Sequence, residues 1–205
     1  STLKPRKIWF DETVQKLNVD GRGELLGEFR GEDKILVVSQ KGVLKIILPE
    51  LTTHFSDDMI MLEKWSPKKP ISAIYFDGKK EKYFAKRFLI ENENKEEVFI
   101  SDNKGSFLEL ISTDWKPVFE IVFSKLRNKE QRVNQKIIFE EFISVKGIKA
   151  QGNQLTPHKV KQVNILEPIE FIPSIEKSTN EIEEVIIEDV VNDENESSSP
   201  QVTLF

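Results

Sequence analysis

The stretch KILVVSQKGVLKIIL, residues 34–48, decides the fold. Two short apolar runs rich in Ile, Val and Leu flank Lys41-Gly42. Runs of that length and composition read as strands, and a glycine between them reads as a tight turn. In the second run Leu44, Ile46 and Leu48 fall on one face and Lys45 points to the other, the two-residue period of a strand. The same grammar extends outward. Strand-like runs lie at 7–12, 34–40, 42–48, 59–65, 71–77, 82–91, 97–101, 107–113, 118–124, 136–143 and 159–166. Asp77-Gly78 joins two of them as a second hairpin signal, because glycine, and tolerably aspartate, accept positive φ. The stretch 50–64 has some helical spacing, but His54-Phe55-Ser56-Asp57-Asp58 reads as a loop. The expectation is an all-β body of many short strands: a sandwich, a barrel or a propeller-like array.

Phrases pairing glycine with basic residues recur at Gly42, Gly78, Gly105 and Gly147. A four-stranded blade takes about 40–50 residues, so the body holds three to four blades. That is too few for a closed ring unless others precede it or the array stays open. The boundary falls near Pro168. Residues 1–168 form the β body; 169–205 form an acidic tail. The division shows in the charge. The net charge is −5, yet residues 1–166 hold 29 Lys+Arg against 24 Asp+Glu, while residues 167–205 hold Lys177 against 11 acids. Ser, Asn and acids surround Val185-Ile186-Ile187, a composition that buries too little surface to offset chain entropy, so disorder is expected. That island and the final Val202-Thr203-Leu204-Phe205 are candidate docking motifs; unstructured filler is the plainer reading. The opening Ser1-Thr2-Leu3 lacks a starting Met and is read as a processed or excised end.

Several chemistries are excluded. Cysteine is absent, so there is no disulfide frame, thiolate metal site or cysteine nucleophile, which fits a reducing compartment. No apolar run reaches the roughly 20 residues of a membrane helix. His54 and His158 are far apart and outside metal-ligand spacing. No phosphate-binding GxxxxGK[ST] loop occurs. Gly21-Arg22-Gly23-Glu24-Leu25-Leu26-Gly27 has the wrong last spacing for a dinucleotide loop. Tyr75 and Tyr83 lie in strand-like runs without an arginine-rich catalytic context. The chain alone is predicted to be non-catalytic, with no metal site and no cofactor.

What remains is cationic. Lys41 and Lys45 flank one turn; Lys79, Lys80, Lys82, Lys86 and Arg87 sit on and beyond another. Arg127, Lys129 and Arg132 lie in a polar loop, and Lys146, Lys149, Lys159 and Lys161 finish the body. If the turns share one rim, the charges form a stripe, as tracking a phosphate backbone requires: many weak contacts, each releasing a counterion. The candidate contacts are Lys41, Lys45, Lys79, Lys80, Lys86, Arg87, Lys146, Lys149, Lys159 and Lys161. The rival reading is a protein-interaction β scaffold whose cations only solvate it. Phe10, Phe76, Phe84, Phe88, Phe119, Phe123, Phe139 and Phe142 are embedded in apolar runs and read as core. Trp9, Trp65 and Trp115 read as interblade packing. Any nucleic acid bound would therefore be duplex, held by its backbone.

Three segments resemble one family: GRGELLGEFRGEDKILVVSQKG (21–42), PISAIYFDGKKEKYFAKRFLIEN (70–92) and EEFISVKGIKAQGNQLTPHKVKQVNILEP (140–168). They look like the C-terminal region of the A subunit of bacterial type IIA topoisomerases, most of all the topoisomerase IV (gyrase-A-like) subunit of the Bacteroidetes type. The resemblance implies a β-pinwheel of four-stranded blades that exchange strands, partial or open here, whose basic rim bends duplex DNA and presents it to a catalytic core. It implies a cytoplasmic, nucleoid-associated protein with double-stranded DNA, the rest of the A subunit and the ATPase B subunit as partners. ATP, Mg²⁺ and the catalytic tyrosine would belong to the parent enzyme. Gyrase proper has a glutamine-arginine-arginine-glycine-glycine-lysine-glycine box; the nearest string here is Asp20-Gly21-Arg22-Gly23-Glu24. The departure favours decatenation and relaxation over supercoiling. The acidic tail resembles those that temper DNA wrapping in relatives, and a tethered polyanion would compete for the rim at high effective concentration.

Overall fold

In a computed structural model the described residues are 4–125, 127 and 130–170. Lys129 and the tail from residue 171, with both docking motifs, lie outside them. Fourteen strands and one helical turn make four small antiparallel sheets. Blade 1 holds β1 (Arg6–Asp11), β2 (Lys16–Asn18) and β3 (Glu24–Phe29). Blade 2 holds β4 (Ile35–Ser39), β5 (Val43–Ile47) and β6 (Met59–Lys64). Blade 3 holds β7 (Ile71–Asp77), β8 (Lys82–Phe88) and β10 (Phe107–Ser112). Blade 4 holds β11 (Val118–Phe123), β12 (Gln135–Ile138) and β14 (Val160–Leu166). The short strands β9 (Glu97–Val98) and β13 (Asn153–Gln154) and the turn α1 (Phe139–Phe142) complete the set.

One plan repeats. In each blade the first strand is central, the second folds back on one side as a hairpin, and the third pairs on the other. Each pairing of first and third strands has a register shift, at Ile8/Trp9, Val38/Ser39, Leu108/Leu110 and Val122/Phe123. A bulge there bends the strand and deepens the right-handed twist.

Blades exchange backbone. The segment between the second and third strands of one blade reaches back to the hairpin edge of the blade before it. β9, from blade 3, pairs with β5 of blade 2. β13, from blade 4, pairs with β8 of blade 3. From blade 2, His54 forms a bridge with Lys16 of β2, and the Phe55 N–H donates to the Gln15 carbonyl. This strand exchange in an open row of blades is an open β-pinwheel, as the family resemblance implied.

The core sits between blades as three clusters. Ile8, Phe10, Leu17, Phe29, Ile35, Val37 and Phe55 fill the first gap. Leu36, Val38, Leu44, Ile71, Ala73, Tyr75, Phe88 and Phe99 lie in the second. Ile74, Ala85, Phe119, Ile121, Phe123, Phe139 and Val163 lie in the third. The pattern of β4 now has its cause. Ile35 and Val37 face blade 1 while Leu36 and Val38 face blade 3, so a strand buried on both sides is apolar throughout. In β1 only Ile8 and Phe10 are buried, which gives the alternation of a sheet with one covered face.

Several expectations change. Leu48 lies beyond β5 and is half exposed. Phe76 is not buried core; it stacks on Phe107 and meets Tyr83 edge-on at the blade surface. The run 136–143 is strand only to Ile138, where a helical turn sends Phe139 into the third cluster. β2, β3 and β13 were not anticipated as strands. Of the four glycine phrases only two are equivalent. Gly42 and Gly78 follow the central strands of blades 2 and 3, whereas Gly105 precedes β10 and Gly147 lies in the segment donated to blade 3.

Candidate nucleic-acid interface

The Lys41 turn fits the sequence reading. Gly42 has φ +69°, and its N–H closes the turn on the Ser39 carbonyl. A Cβ there would also sit 2.4 Å from the Ile100 side chain of the incoming segment. The Asp77-Gly78 turn differs. Positive φ falls on Glu81 (51°), not Gly78. Gly78 is required by crowding, since a Cβ would lie 2.2 Å from the Lys104 carbonyl oxygen.

Asp77 organises this turn. It is 2% exposed, and its carboxylate accepts from the Lys79 and Lys80 N–H groups, the Ser101 hydroxyl and the Asn103 amide. Burial alone would raise its pKa, but these four donors outweigh that and hold it below the usual carboxylate value. Asp77 thus clamps Lys79-Lys80 to the segment that has just crossed from blade 2.

A chain of contacts joins the hairpin turns of blades 2, 3 and 4. The Gly42 carbonyl accepts from Phe99 N–H, and Ser101 two residues on bonds Asp77. An open concavity of about 660 Å³ follows, lined by Lys79, Lys80, Lys86 and Lys149 together with Asp77 and Asp102. Further along, Glu81 and Lys82 share a concavity of about 510 Å³ with His158 and Lys159. The Lys159 carbonyl accepts from Ser124, where the blade 4 turn begins, and the Arg132 guanidinium sits 5.7 Å above the Phe123 ring. Lys41 and Lys45 line a third concavity, with Glu96 and Asp58 opposite. Lys161 follows Val160, the partner of Phe123, at the same end of blade 4.

The ten candidate cations therefore divide. Lys41, Lys45, Lys79, Lys80, Lys149, Lys159 and Lys161 lie at the turn end. Lys82 and Arg132 join them; the sequence placed them beyond a turn and in a polar loop, but they were not among the candidate contacts. Lys86 and Arg87 are corrections, being 6% and 5% exposed. The Lys86 ammonium donates to the Phe99 carbonyl at 2.6 Å, and burial lowers its pKa to about 8. The Arg87 guanidinium donates to the Trp115 carbonyl at 2.8 Å, and burial lowers its pKa too, opposed by the charge of Glu140. Two basic residues in succession on a strand must point to opposite faces. In a strand covered on both sides neither reaches solvent. Lys146 is exposed but lies apart from the turns. Its bridge to Phe88 places it at the far end of β8, roughly 20 Å from the turn by strand rise. Its ammonium donates to Asn153.

Residues 16–167 match the topoisomerase C-terminal domain family of Bacteroidota. The chain belongs to that family. No curated protein matches it. The three segments quoted from the sequence all lie within or against the matched span, and strand exchange is the architecture their likeness implied. This chain is thus the C-terminal region of a bacterial topoisomerase. Among the described residues no helix is long and apolar enough to cross a membrane. No group of three His, Cys, Asp or Glu among them is placed to hold a metal.

Proposed function

We propose that this topoisomerase C-terminal domain binds and bends duplex DNA along the rim formed by its hairpin turns, and presents the duplex to the catalytic core for ATP-dependent strand passage. The observation that supports it is the unbroken series of turn contacts from Lys41 through Lys79, Lys80 and Lys149 to Lys159. Exchanged backbone ties the turns that carry these residues to one another. Such a series meets phosphates one at a time and carries no base readout. Membership of the topoisomerase family supplies the DNA context. Absence of the gyrase box favours decatenation and relaxation over supercoiling. Strand cleavage, ATP and Mg²⁺ belong in this reading to the remainder of the A subunit and to the B subunit, in the cytoplasm at the nucleoid.

The test is duplex binding across 50–200 mM salt. With about six phosphates neutralised, log K against log salt has a slope of about −5. Affinity that does not change with salt, or no binding at 50 mM, contradicts the proposal and leaves the β scaffold that binds a protein.

A further inference from the structure

The concavity of about 510 Å³ between the hairpin of blade 3 and the segment leading from β13 to β14 is more than a gap between cations. Phe76 and Tyr83 line it, and both are only half-buried. Phe76 stacks on Phe107 with ring centroids 5.4 Å apart and meets Tyr83 edge-on at 5.1 Å. The Tyr83 hydroxyl donates to Glu109 at 3.4 Å, which orients its ring. Burial and that carboxylate raise the phenol to about 12, so it stays neutral and does not repel a phosphate. The facing wall is tied in place. The Leu155 N–H donates to the Tyr83 carbonyl, the Gln154 amide to the Thr156 carbonyl and the His158 N–H to the Thr156 hydroxyl. The cleft is therefore formed before anything enters it. Exposed Lys82 and Lys159 share the lining, and Glu81 is its one acid.

We propose that this cleft takes a single unstacked base of the bound DNA, with its ring against Phe76 and Tyr83 and its phosphate on Lys82 and Lys159. The inference rests on the DNA-binding reading of the rim. Core packing accounts for Phe84, Phe88 and Phe119, which are buried. It does not account for a ring cluster left half open beside two lysines. A phosphate contact needs only the cations; rings alongside them suit a base, because every base has a π face to stack. Cavities of about 300–1,000 Å³ hold small ligands, and one nucleotide is of that size. A sharply bent duplex opens base steps at its kinks, so the rim exposes a base where it bends the DNA. A free nucleotide has the same chemistry, and the test separates the two sources.

The probes are two 20-bp duplexes, one fully paired and one carrying a single unpaired thymine at its centre. At 100 mM salt the full chain is expected to bind the second roughly fivefold more tightly, or better. With 5-iodouracil in place of that thymine, irradiation should cross-link it to Phe76 or Tyr83, read by mass spectrometry. Phe76→Tyr keeps the ring and keeps the preference, whereas Phe76→Leu reduces it to under twofold. Equal affinity for the two duplexes, a cross-link elsewhere, or a preference that survives Phe76→Leu overturns the inference and leaves the rim reading intact. Binding of neither duplex overturns both. A cross-link abolished by about 1 mM thymidine monophosphate, which then also binds the DNA-free protein, assigns the cleft to free nucleotides instead.

Discussion

Lys86 shows how far a residue's role departs from its charge. It was a candidate phosphate contact on composition, yet it lies under the donated segment and holds the Phe99 carbonyl. Its folded pKa, about 8, lies below the 10.5 of a free lysine. Between these values the unfolded chain binds the extra proton, so stability rises with pH across that window. Above pH 10 the opposite contribution of Tyr83, raised to about 12 by burial and Glu109, takes over. Denaturant unfolding is expected to gain on the order of 1–3 kcal/mol from pH 8 to 10. Lys86→Met removes that gain, and a variant that kept it would place the titration elsewhere. Asp77→Ala strips four donors of their acceptor. A loss of roughly 2–4 kcal/mol is expected from urea titration, and a loss under 1 would show that the clamp is dispensable. The carboxylate was legible only as half of an Asp-Gly turn. Its bonds to Ser101 and Asn103 come from residues far along the chain, which local sequence cannot announce.

At the scale of elements, legibility followed burial. β4 and β7 stood out because both of their faces are covered. β13, Asn153-Gln154, has no apolar residue to betray it; it is a strand because β8 offers an edge. β2 and β3 were hidden by the cluster of Gly21, Gly23 and Gly27, whose positive φ angles belong to an irregular return beside β1. The turn α1 was hidden inside an apolar run: Phe139 and Phe142 share a face only at helical spacing, but the run of Ile137, Ile138 and Phe139 before them reads on as strand. Gly78→Ala forces a Cβ against the Lys104 carbonyl oxygen. Thermal unfolding should show it destabilised by at least about 2 kcal/mol, whereas Gly31→Ala, with open space around it, is expected to change stability by less than about 1 kcal/mol. Equal effects would contradict the close approach of the two loops. Phe99→Ala, in the second core, should cost about 3–5 kcal/mol and unseat β9 from β5.

For the whole molecule, the sum of charges says little and their placement says much. Of the ten cations chosen by sequence, seven share the turn end and three do not. The split follows from strand geometry: turns of successive blades are brought together by exchanged backbone, while Lys86, Arg87 and Lys146 belong to the body and far end of β8. That division is the claim on which the DNA-binding reading rests. The direct measurement is duplex affinity at 100 mM salt for two variants of one fold. Lys79→Ala, Lys80→Ala and Lys149→Ala combined should weaken binding at least tenfold and flatten the salt slope by about three, with Lys146→Ala close to wild type. Equal losses in the two variants, or none in the triple, would contradict a rim built from the hairpin turns.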